Sequence, residues 1–278
     1  MDVKLEHLKD ILRQTDGVVV AFSAGVDSTF LLKIAHLVLG SRAIALTASS
    51  DTAPPGELEA AQAFAANLGI HHIVLESHEL ANSSFTQNPS NRCFFCKDEL
   101  YRICREQADR LRIAVIVDGT NLDDLRDHRP GLKAATNWGS RHPLVEAAMT
   151  KEDIRRYSRE LDLPTWDKPS SPCLSSRFPY GTEINRERLN KVAASEQFMK
   201  ELGFREFRVR YHGDLARIEV AQNEFPRWFE KTTRDAVVQK FKEIGFQYIS
   251  LDLQGYRTGR LNDALRLPRV LRRPPFPQ

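Results

Sequence analysis

The chain has 278 residues, of which 41% are hydrophobic and 28% are charged, and its formal net charge is +3. These values are typical of a soluble globular protein with one large or two ordinary domains, and they exclude wholesale disorder and collagen-like repeats. No run approaches the ~20 apolar residues of a membrane span, and the mixed-charge start is unlike a signal peptide. With only 4 cysteines, we expect a cytoplasmic protein whose cysteines are thiols or metal ligands.

Charge is distributed unevenly along the chain. Before Tyr180 there are 21 Lys and Arg against 24 Asp and Glu, whereas from Tyr180 onward there are 19 against 13. An anionic substrate or a nucleic acid would therefore meet the C-terminal part more readily. A solvated basic surface without a partner is an equally good interpretation of the same numbers.

The first half of the chain predicts alternating strands and helices. Its short apolar runs are typical of a parallel sheet that is covered on both faces. The predicted strands are 18–22, 43–47, 73–75 and 113–117, and the predicted helices are 29–39, 57–68 and 97–111. Ligands of such sheets bind beyond the carboxyl ends of the strands, which points to three loops: 23–28, 48–55 and 118–124.

From Glu183 onward the pattern changes to that of a small α+β unit. It predicts a helix over 186–202, an antiparallel hairpin over 205–211 and 215–220, a helix over 225–244 and a strand over 248–253. We therefore predict an α/β domain over residues 1–180 and a smaller α+β domain over 181–268, for substrate binding or oligomerisation. The Pro- and Arg-rich segment 269–278 is predicted to be a disordered tail.

The loop after the first predicted strand has the sequence Ser-Ala-Gly-Val-Asp-Ser, over residues 23–28. Small residues let backbone N–H groups approach an anion, and the N-terminus of the following helix adds positive partial charge. The loop therefore predicts a phosphate site, although it lacks the Lys of the Walker-type loop. A plain strand-to-helix turn capped by Ser and Asp is the alternative.

This loop resembles the signature of the PP-loop ATP pyrophosphatases, which bind ATP and release pyrophosphate while they adenylate a substrate. Their usual second residue is Gly, and the methyl group of Ala24 is tolerable there if its φ stays negative. A second loop, Gly-Thr-Asn-Leu-Asp-Asp over 119–124, supports the resemblance, although such a loop alone is more often a turn.

The resemblance implies a parallel-sheet PP-loop domain of the adenine nucleotide alpha hydrolase type. The implied ATP contacts are Ser23, Gly25, Val26, Asp27, Ser28, Thr47, Ala48, Gly119 and Thr120. Asp123 and Asp124 are candidate ligands of a Mg²⁺ ion that bridges phosphate oxygens.

Residues 166–182, Trp-Asp-Lys-Pro-Ser-Ser-Pro-Cys-Leu-Ser-Ser-Arg-Phe-Pro-Tyr-Gly-Thr, resemble the LarE sulfur transferases within this group. The resemblance covers nearly the whole chain, including 208–213 and 216–220. It implies adenylation of a pyridinium carboxylate mononucleotide and displacement of AMP by sulfur, in the biosynthesis of a nickel-pincer nucleotide cofactor. In one branch of the family, the cysteine at the position of Cys173 gives up its own sulfur and becomes dehydroalanine.

The other three cysteines help to decide which branch of the family the chain resembles. Cys93 and Cys96 form a CxxC pair just before the predicted helix 97–111, and such a pair alone could be a redox couple, a zinc half-site or cluster ligands. Cys104 falls on an apolar helix face and is predicted to lie in the core. Together with Cys173, the CxxC pair resembles the branch that holds a 4Fe-4S cluster with one iron left for sulfide. A sacrificial Cys173 beside a CxxC without a cluster is the alternative.

Charged residues after Cys173 complete the candidate site. Arg208 and Arg210 share a strand face by the period of two, so that they could bind a substrate phosphate or carboxylate together, and surface charge is the alternative. His71, His72 and His142 show no ligand-like spacing and are predicted to be structural. The candidate substrate-binding residues are Arg177, Arg208, Arg210, Glu196 and Glu219. The two glutamates could position the arginines or act as a base.

Two other functions use the same features. A tRNA-thiolating PP-loop enzyme can also use three cysteines, but the chain lacks paired zinc-ribbon motifs and is only modestly basic. A non-catalytic ATP sensor would leave the cysteines and the arginines without a role. We therefore expect a small pyridinium nucleotide as substrate, sulfide or another sulfur donor, no nucleic acid, no membrane association and a homo-oligomer.

Overall fold

A computed structural model describes residues 3–126, 130–257 and 259–263. Contacts within the chain define two compact units, the first formed by Met1–Asn82 and Asn91–Ser171 and the second by Ser83–Ser90 and Pro172–Gln278. The domain boundary after residue 180 and the homo-oligomer stay predictions, and the predicted tail lies outside the described residues. Within the described ranges, no helix is both long and apolar enough to cross a membrane.

Ten α-helices occur in the described part of the chain. In chain order they are α1 (Val3–Arg13), α2 (Val26–Leu39), α3 (Glu57–Asn67), α4 (Ser83–Thr86), α5 (Arg92–Arg110), α6 (Pro130–Asn137), α7 (Pro143–Glu146), α8 (Lys151–Glu160), α9 (Arg186–Glu201) and α10 (Lys231–Ile244). The strands are β1 (Val18–Ala21), β2 (Ala43–Ser49), β3 (His72–Glu76), β4 (Val115–Asp118), β5 (Phe207–His212), β6 (Leu215–Val220) and β7 (Tyr248–Leu251).

The first unit is built on a four-stranded parallel sheet with the order β3-β2-β1-β4. Strand β1 is buried along its whole length, with Val18 and Val20 in one core and Val19 and Ala21 in another. The first core receives side chains from α1, α2 and α8, and the second from α5 and α6. Because successive residues of a strand face opposite sides, helices cover both faces, as predicted.

Two helices begin earlier than the sequence pattern predicts. Helix α2 starts at Val26, since Gly25 is still extended (φ −79°, ψ 167°) and serves as its N-cap. Helix α5 starts at Arg92, and its 19 residues contain no Gly or Pro that would interrupt it. The prediction that the CxxC pair precedes this helix is therefore wrong, because Cys93 and Cys96 lie in its first turns.

The second unit contains a three-stranded sheet with the order β5-β6-β7. The predicted hairpin is confirmed: β5 and β6 are antiparallel, and Gly213 turns between them with a φ of +66°. The predicted helix over 225–244 is divided, because Pro226 lies in a 3₁₀ segment, Gln222–Phe229, that precedes α10. Strand β7 then pairs with β6 in parallel, and α9 contacts β5.

Candidate active site

The loop 23–28 leaves the carboxyl end of β1 and enters α2. The backbone N–H of Ser23 donates to Ser28 Oγ at 3.3 Å, and the two hydroxyl oxygens lie 3.1 Å apart. No side chain caps α2 at Gly25, so the first N–H groups of this 14-residue helix are not occupied by a capping residue. Such a helix start carries positive partial charge and is suited to a phosphate.

Ala24 in this loop adopts a left-handed backbone conformation. Its φ is +52° and its side chain is buried, so the condition under which the sequence made a methyl group tolerable here is not met. This conformation costs a non-glycine residue about 1 kcal/mol or more, and surrounding contacts must hold it there. Two contacts do so: the methyl group packs in the core, and Lys168 Nζ donates to the Ala24 carbonyl oxygen at 3.1 Å.

Gly119 joins the second sequence-predicted loop to the first. A Cβ atom at Gly119 would stand 2.8 Å from the backbone nitrogen of Ser28 and 3.0 Å from the carbonyl carbon of Asp27. Both neighbours are backbone atoms, which cannot rotate away. Only glycine allows this approach, and the two loops are therefore in direct contact, as expected for parallel strands whose carboxyl ends lie at one edge of the sheet.

Asp27 is the one charged residue of the loop 23–28, and two side chains hold it. Lys151 Nζ donates to Oδ2 at 2.5 Å, and Asn121 Nδ2 donates to Oδ1 at 3.3 Å. Lys151 is the first residue of α8, whose start is fixed by a capping box between Thr150 and Asp153. Lys151 is not among the site residues predicted from the sequence, and the Thr-x-x-Asp pattern was the available signal for a helix start there.

The carboxylates of the second loop are engaged with backbone N–H groups. Asp123 Oδ2 accepts from the N–H of Lys151 at 2.8 Å, and Asp124 Oδ2 accepts from the N–H of Asn121 at 3.1 Å. Asn121 Oδ1 in turn accepts from the N–H groups of Asp123 and Asp124. The loop is thus an Asx turn. Over the ranges that the structure describes, no group of three or more His, Cys, Asp or Glu is arranged to hold a metal ion.

A buried carboxylate, that of Asp118, connects the residues at this edge of the sheet through hydrogen bonds. Asp118, the last residue of β4, accepts hydrogen bonds from the Thr120 N–H and His142 Nδ1 at 2.9 Å each and from the hydroxyl groups of Ser140 and Tyr101. Burial would raise the pKa of Asp118, but the hydrogen bond and charge of His142, with the other donors, lower it to about 2. The same contact raises the pKa of His142, in keeping with its predicted structural role.

The third loop, after β2, is organised by two buried polar groups. Thr47 Oγ1 donates to the Phe22 carbonyl oxygen at 2.8 Å and lies 2.8 Å from His72 Nε2. Glu79, which is 2% exposed and was missed by sequence analysis, accepts from the hydroxyl groups of three residues, Ser50, Thr52 and Ser77. Ala48 lies beside Thr47 at the end of β2 and is half-buried.

In the second unit, Arg177 holds the segment that carries Cys173. Arg177 is 2% exposed, and its Nε and Nη2 donate to the two carboxylate oxygens of Glu196 at 2.9 and 2.8 Å. Its Nη1 donates to the carbonyl oxygens of Pro172 at 2.7 Å and Cys173 at 3.2 Å. Glu196 also accepts from the N–H of Val209 at 3.0 Å, so one ion pair connects α9, β5 and the cysteine segment.

Arg210 and Arg208 lie on β5, two residues apart and therefore on one face of the strand. Arg210 donates to Glu219 Oε2 and to the Ser176 carbonyl oxygen, both at 2.8 Å. Arg208 lies over the Tyr256 ring, 4.9 Å from its centroid. Burial lowers the pKa of Arg208, and the nearby positive charges of Arg177 and Arg210 lower it further. Glu196 and Tyr256 act in the opposite direction, so the repulsion of Arg208 by its two neighbouring arginines is partly compensated.

The four cysteines occupy different surroundings, and none forms a disulfide. Cys93 is exposed and Cys96 is half-buried in α5, where a spacing of three puts them on one helix face. Cys104 is fully buried and burial raises its pKa to about 12, which confirms it as a core residue. Cys173 is half-buried and belongs to the second unit.

Comparisons with known proteins decide the family. Over 265 residues the chain is 44% identical to an uncharacterised protein of Synechocystis sp., with 95% of this chain and 99% of the relative covered. Over 259 residues it is 37% identical to the pyridinium-3,5-bisthiocarboxylic acid mononucleotide synthase of Lactiplantibacillus plantarum, with 93% and 92% covered. The chain belongs to the LarE family.

More distant matches agree with the PP-loop fold of this LarE protein. Residues 4–109 match the NAD synthase family. Over 163 residues the chain is 25% identical to a component of the glutamine-hydrolysing GMP synthase of Archaeoglobus fulgidus, with 55% of this chain and 53% of the relative covered. The predicted family and the α/β PP-loop fold are thus confirmed, and the chain is an ATP-dependent enzyme.

Proposed function

We propose that the chain adenylates the carboxylate of a pyridinium mononucleotide and then replaces AMP with sulfur, giving a thiocarboxylate for a nickel-pincer nucleotide cofactor. The name of the Lactiplantibacillus plantarum relative, a synthase of a pyridinium bisthiocarboxylic acid mononucleotide, supports this substrate class. The observation that carries the proposal is the hydrogen bond from Arg177 to the Cys173 carbonyl oxygen, because it links the cysteine to a buried cluster of arginines.

Activation of the carboxylate comes first. A carboxylate oxygen of the substrate attacks the α-phosphorus of ATP, the bond to the bridging oxygen breaks, and pyrophosphate leaves an acyl-adenylate behind. N–H groups and hydroxyl groups fixed before the reaction stabilise the charge that develops on the leaving pyrophosphate. The proposed ATP contacts are Ser23, Gly25, Val26, Asp27, Ser28, Thr47, Ala48, Gly119 and Thr120.

The second unit offers a binding site for the phosphate of the nucleotide. Its charge cluster holds five arginines against three carboxylates, so that positive charge is in excess. A phosphate monoester carries about −2 charge near neutral pH, which would compensate that excess. The cluster consists of Arg177, Arg208, Arg210, Arg217, Arg260, Glu196, Glu219 and Asp252.

The members of this cluster have different proposed roles. Arg177 directs its donors to Glu196 and to the segment around Cys173, and we therefore propose it as a positioning residue for the cysteine. Arg208 and Arg210 are the proposed phosphate or carboxylate contacts. Glu219, which is fully buried, orients Arg210 through the 2.8 Å ion pair.

Sulfur transfer follows activation, with Cys173 as the proposed reacting residue. Cys93 and Cys96 fit cluster ligation, because their thiols share one face at the start of α5 and thiolates are the ligands of iron–sulfur clusters. With Cys173 they would leave one iron of a 4Fe-4S cluster without a protein ligand, and such a cluster would supply a site for sulfide. The acyl carbon then gains a bond to sulfur and loses its bond to the AMP oxygen.

Asp123 and Asp124 are the proposed contacts of a Mg²⁺ ion that enters with ATP. Oxygen donors suit this ion, which normally binds one or two carboxylates together with substrate phosphates. Each residue uses one carboxylate oxygen on a backbone N–H, and this hydrogen bond fixes the orientation of the carboxylate. The bound ion would neutralise charge on the phosphates.

Anaerobic turnover tests the proposal and its main alternative together. The protein is incubated with Mg-ATP, sulfide and a carboxylated pyridinium mononucleotide, and pyrophosphate, thiocarboxylate and intact protein mass are measured. We expect pyrophosphate only when the nucleotide is present, more than one sulfur transferred per chain, and an unchanged mass. Pyrophosphate release without the nucleotide, or none with it, would contradict the adenylation proposal.

The same mass spectrum separates the two sulfur sources. If Cys173 gives up its own sulfur, the chain becomes lighter by one H₂S and stops after one transfer. Substitution of Cys93 and Cys96 by Ala should abolish repeated turnover if these residues hold a cluster. Full activity of both variants, together with dehydroalanine at Cys173, would establish sacrificial transfer instead.

A further inference from the structure

The phosphate loop of this enzyme has no cation of its own. Its single charged residue, Asp27, is negative, and no Lys or Arg occurs in the sequence 23–28. Helix-start N–H groups supply only about half a unit of positive charge, whereas a triphosphate carries several negative charges. A Mg²⁺ ion that enters with ATP would compensate part of this charge, and protein cations must come from residues outside the loop.

One cation next to the loop is Lys168, which is 144 positions away from Ala24 in sequence. Its Nζ donates to the Ala24 carbonyl oxygen at 3.1 Å and to Glu57 Oε2 at 2.6 Å. An ammonium group has three N–H donors, and two of them are accounted for within the described part of the chain. The Lys168 side chain is 24% exposed, so a ligand in the loop can reach it.

Lys151 approaches the loop at its other end. Its Nζ lies 2.5 Å from Asp27 Oδ2, and 38% of its side chain is exposed. The position of this residue is fixed at the backbone level, because its N–H donates to Asp123 Oδ2 at 2.8 Å. Lys168 thus contacts the first part of the loop 23–28 and Lys151 the last part, and both are already oriented before any ligand binds.

We propose that Lys151 and Lys168 bind the β- and γ-phosphates of ATP and supply the cations that the loop lacks. Glu57 positions Lys168, since this carboxylate lies in the first turn of α3, where the helix dipole stabilises it. On cleavage of the α–β bond, the charge that develops on pyrophosphate is stabilised by both ammonium groups. The proposal rests on the ATP use of the family and is independent of the sulfur chemistry.

Ligand binding without turnover tests this assignment. Affinities of a non-hydrolysable ATP analogue, inorganic pyrophosphate and AMP are measured by calorimetry for wild type, Lys168→Met and Lys151→Met. Loss of a charge-assisted contact weakens binding about tenfold to a hundredfold. We expect this loss for the ATP analogue and for pyrophosphate, while the affinity for AMP stays within about twofold of wild type, because AMP lacks both phosphates.

Lys9→Met is the matched control. Lys9 lies in the same unit, pairs with Glu6 at 2.7 Å and is 26% exposed, values close to the 2.6 Å and 24% of the Lys168 pair. Its substitution should change no affinity. Lys168→Arg, which keeps the charge, should recover part of the lost affinity, which a purely structural role of the side chain would not predict. Equal losses for AMP and the ATP analogue, or no loss for either, would overturn the proposal.

A second measurement uses the wild-type protein and does not depend on folding of the variants. An amine-acylating reagent is applied with and without ligand, and modified lysines are located by mass spectrometry. The ATP analogue should protect Lys151 and Lys168 but leave Lys9 reactive, and AMP should protect none of the three. Unchanged labelling of Lys168 under saturating ATP analogue would refute its contact with the phosphates.

Discussion

Substitution of Gly119 by Ala should damage the ATP site more than any other single methyl group added to the first unit. The new Cβ atom would lie 2.8 Å from Ser28 N, 3.0 Å from the Asp27 carbonyl carbon and 3.1 Å from Ser28 Cα. All three are backbone atoms, so that the loop itself must move by roughly half an ångström to reach normal contact. Such overpacking costs about 1–3 kcal/mol in the free energy of unfolding.

The loss of activity should exceed the loss of stability. A displacement of the loop moves the N–H groups of the α2 start away from the phosphates, and misplacement by about 1 Å can reduce a rate about a hundredfold. We therefore expect Gly119→Ala to lower kcat/KM for pyrophosphate release by at least about tenfold at a temperature where it is fully folded. Denaturant unfolding and a continuous pyrophosphate assay give the two quantities.

The control for this substitution is Gly131→Ala. A Cβ at Gly131 would lie 2.9 Å from Lys97 Cγ, but this neighbour belongs to a flexible side chain that can rotate away. Neither Gly119 nor Gly131 has a positive φ, so neither substitution forces a methyl group onto a left-handed backbone. If Gly119→Ala had the stability and the kcat/KM of Gly131→Ala, the close approach of the two loops would not be needed for function.

Three further predictions concern single side chains. Asp27→Ala should abolish Mg-ATP-dependent pyrophosphate release while circular dichroism and the unfolding midpoint stay near wild type; unchanged release would contradict the assignment of the loop. Arg208→Ala should weaken the pyridinium nucleotide about tenfold to a hundredfold and leave ATP unaffected in calorimetry, whereas equal losses would indicate a folding defect. Because the pKa of Asp118 is lowered from 3.8 to about 2, it should stabilise the fold by about 2 kcal/mol above pH 4, and this contribution should vanish as the pH falls through 2. Urea unfolding of wild type and Asp118→Asn from pH 6 to 2 measures this contribution. A difference in the free energy of unfolding that stays constant over that range would contradict the prediction.

Local sequence patterns were sufficient for the framework of the first unit. Apolar runs such as 18–22 predicted buried parallel strands, and the rule for carboxyl ends predicted the loops that the structure brings into contact at Gly119. The predicted starts of α2 and α5 were less accurate. The residues that begin these helices, Val26 and Arg92, do not differ in type from the loop residues before them. The left-handed conformation of Ala24 could not be predicted from local sequence, because the contacts that hold its φ at +52° are tertiary.

Contacts between residues that are far apart in the sequence could not be predicted from local sequence patterns. Lys151 and Lys168 lie 124 and 144 positions from the loop residues that they touch, and no periodicity relates such distant positions. The same holds for Glu79, whose buried carboxylate accepts from hydroxyl groups of two separate loops. A lone charged residue in a sequence is usually solvated, and only the fold shows which of them meet a functional loop.

The buried arginines of the second unit differ in how far carboxylates of the protein compensate their charge, and this difference distinguishes a positioning residue from a proposed substrate contact. Removing a buried charge from water is costly, and it is tolerated when a carboxylate and further acceptors satisfy the group. Arg177 meets this condition, with a two-point contact to Glu196 and three other acceptors. Its interactions are therefore made inside the protein, where they hold the segment of Cys173. Arg208 donates to the Phe207 carbonyl oxygen at 2.6 Å and to the Tyr256 hydroxyl group at 3.3 Å, while burial and the charges of Arg177 and Arg210 lower its pKa. A bound phosphate would offset the repulsion from Arg177 and Arg210, which is why Arg208 is the proposed substrate contact and Arg177 the proposed positioning residue.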